Sequence, residues 1–79
     1  MIKKEITPGG SIFYLLNGLP HRDDGPAIEH LNGTKTYHKH GKFHRLDGPA
    51  VIYADGRQSY YIEGIKYDED KFWEQVNKQ

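Results

Sequence analysis

The chain has 79 residues and no cysteine, with 35% hydrophobic and 28% charged residues, and its 11 Lys and Arg balance its 11 Asp and Glu. No disulfide or thiolate chemistry is open to it, and no apolar run approaches the roughly 18 residues that span a bilayer. The six Tyr, three Phe and one Trp argue against disorder, because disordered chains are poor in aromatics. The first residues, Met1-Ile2-Lys3-Lys4-Glu5, lack the apolar stretch of a secretory signal. A cytoplasmic location is therefore expected.

In chain order, a strand over Ile2–Ile6 is joined to one over Ser11–Leu16 by the turn Thr7-Pro8-Gly9-Gly10. Asn17-Gly18 follows as a second turn. A block then appears twice, 23 residues apart: His21-Arg22-Asp23-Asp24-Gly25-Pro26-Ala27 returns as His44-Arg45-Leu46-Asp47-Gly48-Pro49-Ala50. The spacing also relates Tyr14, Tyr37 and Tyr60, and Gly18, Gly41 and Gly64. A fixed period of this length marks a repeat in which each unit buries its apolar face against its neighbours. Strands over Ala27–Leu31, Thr34–His38, Ala50–Ala54 and Arg57–Tyr61 are expected, with Asn32-Gly33 and Asp55-Gly56 as two-residue type I′ turns between them.

Gly25-Pro26 and Gly48-Pro49 read as corners. Proline restricts the residue before it, glycine escapes most of that restriction, and the proline can open a strand without costing a ladder bond. Arg22 with Asp24, and Arg45 with Asp47, can tie each corner by a charge-assisted hydrogen bond. The third copy breaks off after Gly64-Ile65-Lys66. There Asp68 suits a helix N-cap, Glu69 and Asp70 suit its positive end, and Phe72, Trp73 and Val76 form one apolar stripe. A helix in this position caps the array and covers its last open strand edge.

The resulting fold class is mainly β: an antiparallel meander of β-hairpins with a 23-residue period and a C-terminal capping α-helix. Residues 1–79 are expected to form one domain, with an N-terminal hairpin (1–16), hairpin repeats (17–67) and a helix (68–78). Two full units are fewer than such arrays usually need, so a two-fold homodimer is expected.

Three catalytic or metal readings fail on the residues. His21-Arg22-Asp23 spells the kinase catalytic-loop triplet, but the Gly-rich loop, strand lysine and Asp-Phe-Gly are missing. His38, His40 and His44 stand among lysines that repel a cation, so no metal or other cofactor is expected. His21 and His44 are repeat mates, whereas a general acid and base need different environments. A non-enzymatic protein is the reading that remains.

Charge is unevenly distributed. No acid occurs between His30 and Leu46, while the acids cluster from Glu63 to Glu74. The basic stretch offers Lys35, Lys39, Lys42 and Arg45 to phosphates, Tyr37 and Phe43 to bases, and His38 and His44 beside them. These eight residues are the candidate RNA site, and single-stranded RNA is the natural target because its bases are free to stack.

The His-Arg-x-Asp-Gly-Pro-Ala block, with its Asp-Gly or Asn-Gly turn and Tyr-bearing strand, resembles a repeat of small phage and bacterial proteins. These are similar to variants of the membrane-occupation-and-recognition-nexus β-hairpin repeat, and the resemblance covers about Ile12 to Tyr67. It implies binding rather than catalysis. Size and repeat also resemble phage inhibitory factors directed at toxin–antitoxin endoribonucleases. That likeness implies a counter-defence role, with RNA and the host toxin ribonuclease as partners and the RNA bridging the two. The alternative is a protein–protein module whose tyrosine-rich sheet grips a partner without nucleic acid.

Overall fold

The computed structural model describes residues 1–78. Ten strands precede one helix: β1 (Lys3–Ile6), β2 (Ile12–Leu16), β3 (Leu19–Pro20), β4 (Ile28–Glu29), β5 (Lys35–Thr36), β6 (His38–Lys39), β7 (Lys42–Phe43), β8 (Val51–Ile52), β9 (Gln58–Ile62), β10 (Ile65–Tyr67) and α1 (Glu69–Asn77). The main sheet is ordered β1-β2-β4-β5-β8-β9-β10, with β3 paired to β2, and β6 and β7 form a separate two-stranded ladder. Every pairing is antiparallel. The fold is thus a mainly β antiparallel meander with one C-terminal helix.

Each long strand changes partner at its tyrosine. Before Tyr14, β2 pairs with β4, and beyond it with β3. The expected strand Thr34–His38 is divided at Tyr37: β5 pairs with β4 and β8, while β6 pairs with β7. Strand β9 repeats the exchange at Tyr60, between β8 and β10. At the crossover the Tyr14 N–H donates to the Ala27 carbonyl at 2.8 Å, and the Tyr37 N–H to that of Ala50 at 2.7 Å. The same backbone bond therefore recurs at these two crossovers.

The turns sort into two kinds. Asn17-Gly18, His40-Gly41 and Glu63-Gly64 are two-residue turns with both residues at positive φ (53° and 80°, 50° and 85°, 49° and 84°), as a type I′ turn requires. Asn32-Gly33 and Asp55-Gly56 differ from the type I′ expectation, because only Gly33 (95°) and Gly56 (93°) have positive φ. In the first of these the Gly33 N–H reaches the His30 carbonyl at 2.9 Å and the His30 N–H that of Thr34 at 2.8 Å, closing a three-residue loop. The cause is local. Asn32 Oδ1 accepts the Thr34 N–H at 2.9 Å and Asp55 Oδ1 that of Arg57 at 3.0 Å, a side-chain turn that leaves the left-handed position to glycine alone.

The same three-residue loop closes the N-terminal hairpin, where the Gly10 N–H donates to Thr7 at 2.9 Å and Gly10 has φ 99°. Gly10, Gly33 and Gly56 thus stand at equal spacing, and the N-terminal hairpin is an opening copy of the unit.

Side chains of directly paired residues share a face, so Phe13, Ile28, Thr36, Val51 and Ser59 form one row across the sheet. Ile28, Thr36, Val51 and Ser59 are buried in it, with Ala27, Ala50 and Ile62 nearby in sequence. The molecule measures 39 × 30 × 17 Å, and its third dimension leaves little depth for more core. Helix α1 adds the largest fully buried side chain, Phe72. Asp68 caps it by accepting the Lys71 N–H at 2.9 Å. The helix packs against β9 and β10, with the Phe72 ring 4.9 Å from that of Tyr60. Among the described residues, no helix is long and apolar enough to cross a membrane.

Candidate nucleic-acid interface

The repeated corner is built around a stacked guanidinium. Arg22 Nε donates to Asp24 Oδ1 at 3.0 Å and Nη1 to the Pro26 carbonyl at 3.2 Å, while Cζ lies 3.9 Å from the Tyr14 ring centre. Arg45 repeats this with Asp47 at 2.9 Å, Pro49 at 3.1 Å and Tyr37 at 4.0 Å. A Cβ on Gly25 would meet Arg22 Cζ at 3.1 Å, and one on Gly48 would meet Arg45 Cζ at 3.0 Å. Each guanidinium is thus held between a tyrosine ring and a glycine. In the third unit Asp68 stands where the arginine would be, and Phe72 covers Tyr60 instead.

The repeated histidines join units. His21 Nδ1 accepts the His40 N–H at 2.9 Å, and His44 Nδ1 accepts the Glu63 N–H at 3.0 Å. The next amide in each turn is held too, Gly41 to the Pro20 carbonyl and Gly64 to that of Phe43, both at 2.8 Å. Because Nδ1 accepts, the proton of neutral His21 sits on Nε2, which lies 3.1 Å from Asp23 Oδ1.

The basic stretch is divided by these duties. Tyr37 lies under Arg45, and Arg45 is committed to its corner. His38 is 7% exposed, its Nε2 is 2.9 Å from Thr36 Oγ1, and Nδ1 has no partner among the described residues. The Phe43 ring packs at 4.7 Å from His38 and 4.9 Å from Tyr61. Lys35, Lys39 and Lys42 are exposed. Burial lowers the pKa of His38. The pKa of His44 is also lowered, first by burial and then by Lys39, with Glu63 opposing.

Lys39 and Lys42 are directly opposed across the β6–β7 ladder. A recess of about 280 Å³ is lined by both lysines with His40, His44 and Glu63. Like charges facing each other across a ladder repel; Lys39 pairs with Asp23 Oδ1 at 3.5 Å, and Glu63 is the carboxylate that shares the recess with both lysines among the described residues. A larger groove of about 470 Å³ runs between the two corners, where Arg22, Asp24, Lys39, Arg45 and Asp47 mix both signs. Asp23 and Glu63 shape this region without any signal in the period, since Leu46 stands at the repeat position of Asp23. Among the described residues, no group of three or more His, Cys, Asp or Glu is placed to hold a metal ion.

No protein-family model matches the chain, and no curated protein or solved structure does either.

Proposed function

We propose that this is a non-enzymatic RNA-binding protein of phage counter-defence, which holds RNA on the β6–β7 hairpin and blocks a host toxin–antitoxin endoribonuclease. The observation that carries the reading is the opposition of Lys39 and Lys42 beside His40 and His44. Two ammonium groups facing one another are relieved by a bound phosphate; exposed Lys35 lies on the neighbouring strand β5, opposite Glu29. The resemblance of the repeat to phage inhibitory factors supplies the toxin as partner, with RNA bridging the two proteins.

Stacking by Tyr37 and Phe43 has a smaller place in this reading, because Arg45 covers Tyr37 and Phe43 packs on Tyr61. Contacts are expected chiefly to the backbone, with weak sequence preference. The test is fluorescence anisotropy with a single-stranded RNA across a salt series. Lys39→Glu with Lys42→Glu should weaken binding and flatten the log–log salt slope by about 0.7 for each lost contact. Unchanged affinity and slope in a folded double variant would remove the assignment.

A protein–protein module without nucleic acid is the second reading. It is favoured by the pairing of Lys39 with Asp23 and Arg45 with Asp47, which neutralises part of the basic stretch. Exposed Ile6, Leu31, Ile65 and Trp73 would then supply apolar contact. RNA-independent capture of one partner by both the parent and the lysine variant would favour it.

A further inference from the structure

We infer that His21 and His44 act as proton-operated latches between consecutive units: the neutral imidazole holds the next turn, and the imidazolium releases it. The basis is a repeated geometry. In both units the histidine uses Nδ1 as an acceptor for the first amide of the following turn, at 2.9 Å for His40 and 3.0 Å for Glu63. A protonated imidazole is a donor at both nitrogens, so protonation sets N–H against N–H. The bond is lost, and a repulsive contact replaces it.

The residues held by the latch are themselves under strain. His40 and Glu63 carry φ of 50° and 49°, a left-handed region that disfavours a residue with a Cβ. Each turn then keeps one further backbone tie to the preceding unit, from Gly41 to Pro20 or from Gly64 to Phe43. A turn that has lost its imidazole acceptor keeps its strain and half of these ties.

The charged surroundings differ between the two sites. His21 faces Asp23 at 3.1 Å, the His40 ring at a centroid distance of 4.5 Å, and Lys39 through its bridge to Asp23 at 3.5 Å. His44 faces Lys39, Lys42 and His40 across the recess, with Glu63 on the released turn and Arg45 next in the chain. Glu63 draws a proton toward the His44 imidazole, while burial first and then Lys39 resist it. Release of the third turn would free Glu63 from the recess as His44 gains charge. Where the RNA reading holds, acid thus strengthens polyanion binding, but the latch stands without that reading.

Hydrogen exchange resolved by residue tests the latch in the intact chain at about pH 7.5 and about pH 5. Protection of the His40 and Glu63 amides, measured against the Tyr37 amide held by Ala50, should fall by roughly tenfold per pH unit through the titration. In His21→Asn/His44→Asn, Oδ1 replaces Nδ1 as an acceptor without titrating, and the relative protection should stay constant. Imidazole ¹⁵N shifts of the parent protein, which need no variant to fold, should report Nδ1 unprotonated at neutral pH. Constant relative protection in the parent, an equal loss in the double variant, or a protonated Nδ1 at neutral pH would each overturn the latch, whatever RNA does.

Discussion

Arg45 lies over Tyr37, its guanidinium carbon 4.0 Å from the ring centre, and reaches past it to the Pro49 carbonyl at 3.1 Å. A residue that reads as part of a cationic strip is therefore a structural pin. Arg45→Ala removes a cation–π contact of about 0.5–2 kcal/mol and strands a part-buried carbonyl at about 1–3 kcal/mol. Arg45→Lys should recover little, since an ammonium cannot both sit over the ring and fork to Asp47 and Pro49. Urea denaturation should place both variants well below the parent, and a lysine variant of parental stability would contradict the pin.

Gly48 closes the other side of that stack. A Cβ there stands 3.0 Å from Arg45 Cζ, nearer than ordinary contact allows. Gly48→Ala should cost about 1–3 kcal/mol by overpacking, and Gly25→Ala should behave alike at its 3.1 Å contact with Arg22. At Gly9, by contrast, nothing lies within 4 Å of an added Cβ, so Gly9→Ala is the matched control. Equal denaturation midpoints for the three alanine variants would count against the corner description.

Much of this architecture can be read from residues. The spacing of Gly18, Gly41 and Gly64 marks three equivalent turns, though not their type I′ conformation, and Asp68 before Glu69 and Asp70 marks the helix start. Other features are hidden because they join residues that no pattern links. Pairing of Lys39 with Asp23 spans sixteen positions and has no repeat mate. Substitution of Phe72 for an arginine over Tyr60 conserves a role and not a residue type. Asn32-Gly33 carries the same dipeptide as Asn17-Gly18, yet its side-chain bond to Thr34 selects a different loop. Function is fainter still, because the exposed cations Lys35, Lys39 and Lys42 interleave with residues that hold the fold.

Helix α1 should depend on Phe72. That side chain is fully buried against Tyr60, whereas Trp73 beside it is 37% exposed. Phe72→Ala should cost about 3–5 kcal/mol and remove most of the helical signal at 222 nm in circular dichroism, because a nine-residue helix is marginal without tertiary contact. Trp73→Ala should cost clearly less. The reverse order would mean that the helix is seated through its other face.

Acid should destabilise the fold near the ordinary histidine range. His38 and His44 both have pKa values lowered from 6.5, mainly by burial. The unfolded chain therefore binds more protons than the folded one once pH falls below about 6.5. The stabilisation is complete above that value, shrinks as pH drops toward the folded pKa values, and levels off below them. His38→Leu should flatten part of this loss, since Leu15 occupies the equivalent position in the first unit. Thermal melts between neutral and acidic pH give the test: an identical acid slope in parent and variant would exclude His38 as a source.

Glu63 offers a gain. It holds φ 49° at the head of the third turn, where the first turn has Asn17 at 53°. Asparagine enters the left-handed region more readily than glutamate, because its short side chain bonds locally to the backbone. Glu63→Asn should stabilise the chain by up to about 1 kcal/mol while keeping the N–H that His44 accepts at 3.0 Å. The change also deletes the only carboxylate that lines the recess with Lys39 and Lys42 among the described residues. On the RNA reading, affinity should therefore rise together with the urea midpoint. A higher midpoint with unchanged affinity would leave the turn argument standing and move the RNA surface away from this recess.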